Sequence, residues 1–177
     1  MEESNTMKLN VGCSWPKGRY RSEEWTNFDI VKNERVDLVG SVLEIPLLVN
    51  TVKEIHCIHL LEHLTRDQYP RALAEMHRVL EPGGVLYVET PDFMGLVKNL
   101  SASFENGDVE AIHIWTTSTY GKSEREGMSH HWGFYEGLMR RAFRQQGFKS
   151  VDRLTALDDM ISTHYKQEPV LLIRGIK

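Results

Sequence analysis

Short apolar runs alternate with helical patterns along the chain, beginning at Lys8. Apolar runs of this kind, bounded by glycine, proline or polar turn residues, are typical of buried strands. They predict strands at Lys8 to Val11, Thr26 to Asp29, Val36 to Val39, Val52 to Ile58, Val85 to Glu89, Lys149 to Leu154 and Val170 to Arg174. Seven short strands predict a single sheet.

Two helices have clear sequence signals. The first begins at Thr65, whose hydroxyl can cap a helix and which is followed three residues later by Gln68. Pro82 and the two glycines after it end this helix. The second helix is predicted from Tyr135 to Gln146. Strands that alternate with helices in this way are typical of an α/β fold with parallel strands.

Two segments do not fit that alternation. Only Ile30 to Glu34 separate the second and third strands, whereas a parallel crossover usually takes a dozen residues or more. Residues Asn99 to Ser129 have a weak pattern, so we expect an irregular segment that acts as a lid over a site.

Composition limits the classes of function. The chain has 177 residues, which suits a single domain spanning residues 1–177. Its formal charge of -4 gives no general attraction to nucleic acid or to anionic membranes. Cys13 and Cys57 are the only cysteines, and neither a signal peptide nor a membrane span is apparent. We therefore expect a cytoplasmic protein that acts on a small molecule, with no nucleic-acid or membrane partner.

The end of the first strand is the place to look for a ligand, because ligands in open α/β sheets bind beyond the carboxyl ends of the strands. Gly12 follows Val11 there, and Asp29 ends the neighbouring strand. A glycine turn opposite a carboxylate indicates an adenosine-type cofactor. The ribose hydroxyls of such a cofactor can donate hydrogen bonds to the carboxylate. The alternative is a tight turn at Gly12 and an exposed acid at the end of a strand.

At this point the sequence resembles a known family, the class I methyltransferases that use S-adenosylmethionine, and within it a compact group of small-molecule and glycan-biosynthesis enzymes. The matching stretches occur in the family's order: LNVGCS, NFDI, EIHCIHLLEHL, EMHRVLEPGGVLYVETP and HHWGFYEGLMRRAFRQQGF. The resemblance implies a Rossmann-like, seven-stranded, mostly parallel sheet with helices on both faces. Its last strand, Val170 to Arg174, would be antiparallel.

The resemblance also implies roles for individual residues. Asp29 would hold the ribose and Ile30 would pack on the adenine, while Ile58 and His59 would lie near the reacting methyl group. Val11, Gly12 and Cys13 would lie against the amino-acid part of the cofactor.

Two departures from the family pattern concern the cofactor. Ser14, Trp15 and Pro16 stand where further glycines are usual, and Ser41 and Val42 stand where an acid usually holds the adenine amino group. We expect Ser41 or a main-chain carbonyl to replace that acid.

The reaction would be an in-line displacement at the sulfonium methyl group, for which orientation supplies most of the catalysis. A general base is needed only if the acceptor starts protonated. The candidate bases are His59, His130 and His131, because imidazole titrates near neutrality. Each of them could equally be a structural hydrogen-bonding residue.

Several other functions are weaker on the sequence. The histidines and cysteine at positions 56, 57, 59 and 63 could suggest zinc, but no CxxC pair supports it and we expect no metal. A nicotinamide enzyme would need two further glycines close to Gly12. A non-catalytic methyltransferase-like subunit remains an alternative. We predict S-adenosylmethionine-dependent methyl transfer to a small molecule, by a chain that acts alone, as a homodimer or with a partner subunit.

Overall fold

The computed structural model describes residues 7–13, 24–122, 127–155 and 168–177. The described strands form one sheet of seven, in the order β3-β2-β1-β4-β5-β7-β6. Their bounds are β1 Met7–Val11, β2 Trp25–Asp29, β3 Leu38–Val39, β4 Val52–Ile58, β5 Leu80–Pro91, β6 Ser150–Leu154 and β7 Val170–Ile176.

The direction of the strands agrees with the predicted fold class. The pairs β1 with β2, β1 with β4, β2 with β3, and β4 with β5 are all parallel. Strand β7 runs antiparallel between β5 and β6. The predicted Rossmann-like sheet with an antiparallel last strand is therefore confirmed.

The short connection between β2 and β3 has a simple explanation. Strand β3 has only two residues and pairs directly with the end of β2, so that no crossover helix lies between them. Asn33 orders this connection, because its side chain accepts from the Arg35 N–H at 2.8 Å and its carbonyl accepts from the Val36 N–H at 3.2 Å.

Two amphipathic helices pack on the sheet. Helix α1, Gln68–Val79, buries Tyr69, Leu73 and Met76, as predicted, and the Thr65 N–H donates to the Gln68 side chain at 3.0 Å. Helix α4, Glu136–Gln145, buries Met139, Ala142 and Phe143.

The predicted irregular segment at residues 99–129 is wrong. Helix α2, Phe93–Asn106, and helix α3, Val109–Tyr120, occupy most of it. Asp92 and Asp108 cap the two helices, and Gly107 ends α2 with a φ of 65°. The pattern was weak because α2 buries only Leu96 and Ser103, and α3 buries none of its residues.

The main core lies between the sheet and its helices, with residues such as Leu9, Ile55, Leu73, Leu86 and Phe143 almost completely buried. None of the helices in the described part of the chain combines the length and the apolar character that crossing a bilayer requires.

Candidate active site

The carboxyl ends of β1 to β5 meet at one edge of the sheet, because these strands are parallel. The chain order reverses between β1 and β4, where crossovers leave to opposite sides. An edge of this kind is where open α/β sheets bind ligands. All the residues predicted for the cofactor lie on or just after these strands.

Gly12 has two structural reasons to be a glycine. Its φ of 80° is in the left-handed region, and a Cβ placed on it would stand 3.2 Å from Leu60 Cβ. Its N–H donates to the Phe28 carbonyl at 2.9 Å, which joins the ends of β1 and β2. The predicted contact between Gly12 and the cofactor stays a prediction, and Ser14 and the rest of that loop lie outside the described residues.

Asp29 ends β2 and is nearly buried. Its Oδ1 accepts the Val31 N–H at 2.9 Å and its carbonyl accepts the Gly40 N–H at 3.0 Å, so this residue also organises the turns after β2 and β3. Burial, followed by the negative charge of Asp29, raises the pKa of the Cys13 thiol to about 11. The Asp29 charge therefore acts on the turn after β1, as a shared site requires.

The predicted adenine contacts differ in exposure. Ile30 follows Asp29 and is 69% exposed, which is unusual for an isoleucine beside a buried strand end. Val42 is buried, and the Ser41 hydroxyl accepts the Leu43 N–H at 3.2 Å. Ser41 thus stabilises its own turn, and its role toward adenine stays a prediction.

His59 follows β4 in a strained conformation, with a φ of 49°. Its N–H donates to the Glu89 carbonyl at 2.9 Å. The ring lies between two carboxylates, with Nδ1 3.0 Å from Glu62 Oε1 and Nε2 3.2 Å from Glu89 Oε1. Both ring nitrogens therefore face an acid, and this explains why the backbone accepts strain at this residue.

Together with Glu168, these residues form a cluster, which we call the polar centre: the buried Glu62 and Glu89 and the partly buried His59 and Glu168. Burial alone would lower the pKa of His59, but the hydrogen bonds and charges of Glu62 and Glu89 raise it to about 10. Burial raises the pKa of Glu168, and the charges of Glu62 and Glu89 raise it further. The same neighbours therefore act on both residues, although Glu168 lies far from them in the sequence.

Several buried polar atoms of this region have no hydrogen-bond partner among the described residues. They include Glu62 Oε2, Glu89 Oε2, Thr90 Oγ1 and Trp132 Nε1. A buried polar atom without a partner costs about 1 to 3 kcal/mol. Clusters of such atoms are expected where a ligand supplies the missing partners.

The other two candidate bases lie at the end of the segment that follows α3. His130 is partly buried, and its Nδ1 lies 2.9 Å from the Ser118 carbonyl of α3. Burial lowers the pKa of His130. His131 is exposed, and its N–H donates to the Glu62 carbonyl at 2.7 Å. The structure thus brings both His59 and His130 close to Glu62, while His131 is exposed.

The histidines considered for zinc in the sequence are dispersed. His56 Nε2 lies 2.7 Å from Glu54 Oε1, and its ring packs against Trp25 and Tyr87. Cys57 is fully buried in the core, and burial raises the pKa of its thiol. Among the described residues, His63 is the member of that group that belongs to a cluster of three metal-ligand side chains, and the other two are Glu62 and His130.

Comparison with known proteins agrees with this geometry. The family model described as a methyltransferase domain matches residues 19–88. The solved structure of an S-adenosylmethionine-dependent methyltransferase from Archaeoglobus fulgidus is 14% identical, with a TM-score of 0.66 over 97% of this chain and 86% of that chain. The chain has a class I methyltransferase fold. The predicted resemblance to the class I methyltransferases that use S-adenosylmethionine is confirmed.

Two further solved structures resemble this chain. One is the 1,6-didemethyltoxoflavin-N1-methyltransferase of Burkholderia thailandensis with bound S-adenosylhomocysteine, 15% identical with a TM-score of 0.59 over 97% of this chain and 70% of that chain. The other is the chain bound to the Trm112 methyltransferase activator of Haloferax volcanii, also 15% identical with a TM-score of 0.59, over 97% and 82% of the two chains. No curated protein sequence is significantly similar to this chain.

Sequence reasoning missed the acids of the polar centre as a group. Glu89 ends a predicted strand and so could be placed at the correct edge of the sheet. Glu62 lies in the short 3-10 helix Leu61–His63, which the sequence pattern did not predict. A signal existed in the series His59, Glu62 and His63, because polar residues that directly follow a buried strand often face the ligand edge.

Proposed function

We propose that the protein transfers the methyl group of S-adenosylmethionine to a small-molecule acceptor bound at the polar centre. One observation carries the proposal: buried side-chain oxygens of Glu89 and Thr90 that have no hydrogen-bond partner in the described part of the chain lie at the end of β5, beside the turn after β4. Methyl transfer needs an acceptor site next to the cofactor edge. Buried polar atoms without a hydrogen-bond partner are suited to form that site, because the acceptor can supply the missing hydrogen bonds.

The cofactor would lie along the ends of β1, β2 and β4. Asp29 would accept from the ribose, and the exposed Ile30 would cover one face of the adenine. Val11, Gly12 and Cys13 would contact the amino-acid part, with Ser41 and Val42 near the adenine edge and Ile58 and His59 near the methyl group. The effect of the Asp29 charge on Cys13 and the exposure of Ile30 support this arrangement.

Glu89 would orient the acceptor. Its carboxylate is 1% exposed, and one oxygen lies near His59 while Oε2 has no partner among the described residues. An acceptor N–H or O–H could donate to that oxygen, which would aim the nucleophilic atom at the methyl group. Because both ring nitrogens of His59 face carboxylates, its geometry suits holding Glu62 and Glu89 in position.

The reaction would break the bond between sulfur and the methyl carbon and form a bond from that carbon to the acceptor atom. The electron pair of the broken bond stays on sulfur, which leaves S-adenosylhomocysteine. A proton of the acceptor N–H or O–H passes to a neighbouring base or to water.

Helices α2 and α3 would cover this site and set acceptor specificity, within a single domain spanning residues 1–177. The segment after α3 contacts the polar centre, since the His131 N–H donates to the Glu62 carbonyl. This arrangement supports assigning the predicted lid role to residues 99–129, now as a helical cover.

A second function, that of a non-catalytic or partner-dependent subunit, is favoured by a different observation. Helices α2 and α3 expose large apolar side chains, including Phe104 at 63%, Val109 at 76% and Tyr120 at 67%. A homodimer or a partner protein could cover them. The Haloferax volcanii structure, in which a similar fold binds an activator, is consistent with such an arrangement.

The proposal is tested first by calorimetry. We expect one S-adenosylhomocysteine to bind per chain and NAD not to bind. The protein is then incubated with S-adenosylmethionine and a panel of small hydroxyl and amine acceptors, and formation of S-adenosylhomocysteine is measured. Lack of binding would contradict the proposal, whereas binding without turnover on any acceptor would favour the non-catalytic subunit.

Glu89→Gln then tests the acceptor site, with Glu110→Gln on exposed α3 as the control for loss of one negative charge. Loss of a hydrogen bond to a charged group should lower turnover by about 10- to 150-fold. The affinity for S-adenosylhomocysteine should not change. Equal turnover in the two variants would show that Glu89 does not orient the acceptor.

A further inference from the structure

Three side chains from two segments bring metal-ligand atoms together beside the polar centre. One carboxylate oxygen of Glu62 and one ring nitrogen each of His63 and His130 all lie within 4.8 Å of one another. Glu62 and His63 belong to the turn after β4, and His130 follows α3. Two imidazoles and one carboxylate are a ligand set that catalytic metal sites use.

The two histidines are oriented as metal ligands usually are. His63 Nδ1 lies 3.0 Å from the Ser129 carbonyl, and His130 Nδ1 lies 2.9 Å from the Ser118 carbonyl. A carbonyl can only accept, so Nδ1 carries the proton in each ring. Nε2 of each neutral ring then carries the lone pair that a metal needs, and the backbone carbonyls fix both rings in place.

Glu62 supplies an independent observation. It is 2% exposed, and its Oε2 has no hydrogen-bond partner among the described residues. Its other oxygen, Oε1, is held 3.0 Å from His59 Nδ1. A buried carboxylate oxygen without a partner is unfavourable, and a cation would remove that cost. Hydrogen bonding of the second oxygen is the usual support of a ligating carboxylate.

We propose that Glu62, His63 and His130 bind one divalent transition-metal ion of the zinc type. Two imidazole ligands favour Zn²⁺, or another late first-row ion such as Ni²⁺, over the oxygen-preferring Mn²⁺ and Mg²⁺. Ligands at about 2.1 Å from a tetrahedral ion stand about 3.4 Å apart, so a small rotation of the three side chains closes the site. Three protein ligands leave one position for a further ligand.

Binding of the ion would connect two parts of the fold. His130 is joined to α3 through the Ser118 carbonyl, and its N–H donates to the Tyr120 carbonyl at 2.9 Å. Glu62 and His63 are joined to the end of β4. The ion would therefore fix the end of α3 against the edge of the sheet.

The experiment measures metal binding by the protein alone, without cofactor or acceptor, so that it is independent of the proposed methyl transfer. Protein treated with EDTA and then freed of chelator is titrated with Zn²⁺, Mn²⁺ and Mg²⁺ by calorimetry. We expect one Zn²⁺ per chain and much weaker binding of Mg²⁺. The absence of stoichiometric Zn²⁺ binding would overturn the proposal.

His130→Ala and Glu62→Gln test the ligands, with His113→Ala as the matched control, since His113 is an exposed histidine of α3. Substitution of a residue that only supports a ligand costs about 10- to 100-fold in affinity, so loss of a ligand should weaken Zn²⁺ binding by about 100-fold or more. The His113→Ala protein should bind as the parent does. Unchanged affinity in a folded His130→Ala protein would contradict the assignment.

Absorption of the Co²⁺-loaded parent protein keeps the test decisive if a variant does not fold. Ligation by two imidazoles and a carboxylate should give the visible bands of a tetrahedral or five-coordinate site, and added Zn²⁺ should remove them. A spectrum no different from that of aqueous Co²⁺ would overturn the proposal.

Discussion

Asp29→Asn separates the two tasks assigned to Asp29. In the structure Oδ1 accepts the Val31 N–H at 2.9 Å, and the proposed arrangement assigns the ribose hydroxyl to the same carboxylate. Asparagine keeps an oxygen for Val31 but replaces the other oxygen by a donor. One charge-assisted hydrogen bond to the cofactor is then lost, worth about 1.5 to 3 kcal/mol. We expect S-adenosylhomocysteine to bind about 10- to 150-fold more weakly.

The assay is calorimetric titration of S-adenosylhomocysteine, accompanied by urea unfolding of each protein. Glu34→Gln is the matched control, because Glu34 is an exposed acid in the connection between β2 and β3 and its replacement removes the same formal charge. Unfolding of Asp29→Asn should remain close to that of the parent, since the bond to Val31 persists. If Asp29→Asn bound the ligand as tightly as Glu34→Gln did, Asp29 would not hold the ribose.

Two further predictions concern the stability of the scaffold. Gly12→Ala should destabilise the protein by about 1 to 2 kcal/mol because of the positive φ, and the contact of the new Cβ with Leu60 should add to that cost. Gly107 also has a positive φ, but a Cβ there would meet nothing within 4 Å. Gly107→Ala should therefore show only the cost of the positive φ when the two variants are compared by urea unfolding. Arg78→Ala should cost about 1 kcal/mol at pH 7, because Arg78 pairs with Glu75 at 2.8 Å on a partly exposed surface. The hydrogen bond from Arg78 lowers the pKa of Glu75 below its ordinary 4.5, so this stability is present above pH 4.5 and is lost as the pH falls through the lowered pKa. A penalty that grew toward low pH would contradict that reasoning.

The fold could be predicted from the sequence where burial leaves a regular pattern. Strand β4 was predicted with its observed bounds, and α1 and α4 differ from their predictions only near the ends. Helices α2 and α3 were missed because they pack mainly on each other and bury few residues, so no apolar stripe marks them. Their local signals were the N-terminal caps, Asp92 and Asp108, and Gly107 at the end of α2.

The site could be predicted only where a residue directly follows a strand. Gly12, Asp29 and His59 each end or follow a strand, and parallel strands bring such positions to one edge. The proximity of Glu62 to His130, and the effect of the charges of the polar centre on Glu168, join segments that are distant in sequence. Such interactions depend on the tertiary fold, which no local pattern records.

The polar centre is unfavourable for the stability of the free chain. Glu62 and Glu89 are at most 2% exposed, and a pair of buried charges often contributes less than well-packed apolar residues of similar size would. His59 offsets part of this cost, but several oxygens remain without partners among the described residues. A strained backbone at His59 adds to the cost. Burial, strain and unpartnered oxygens at the same edge are together better explained by a bound ligand than by packing, and a protein loaded with its ligands should therefore unfold at a higher temperature than the free chain.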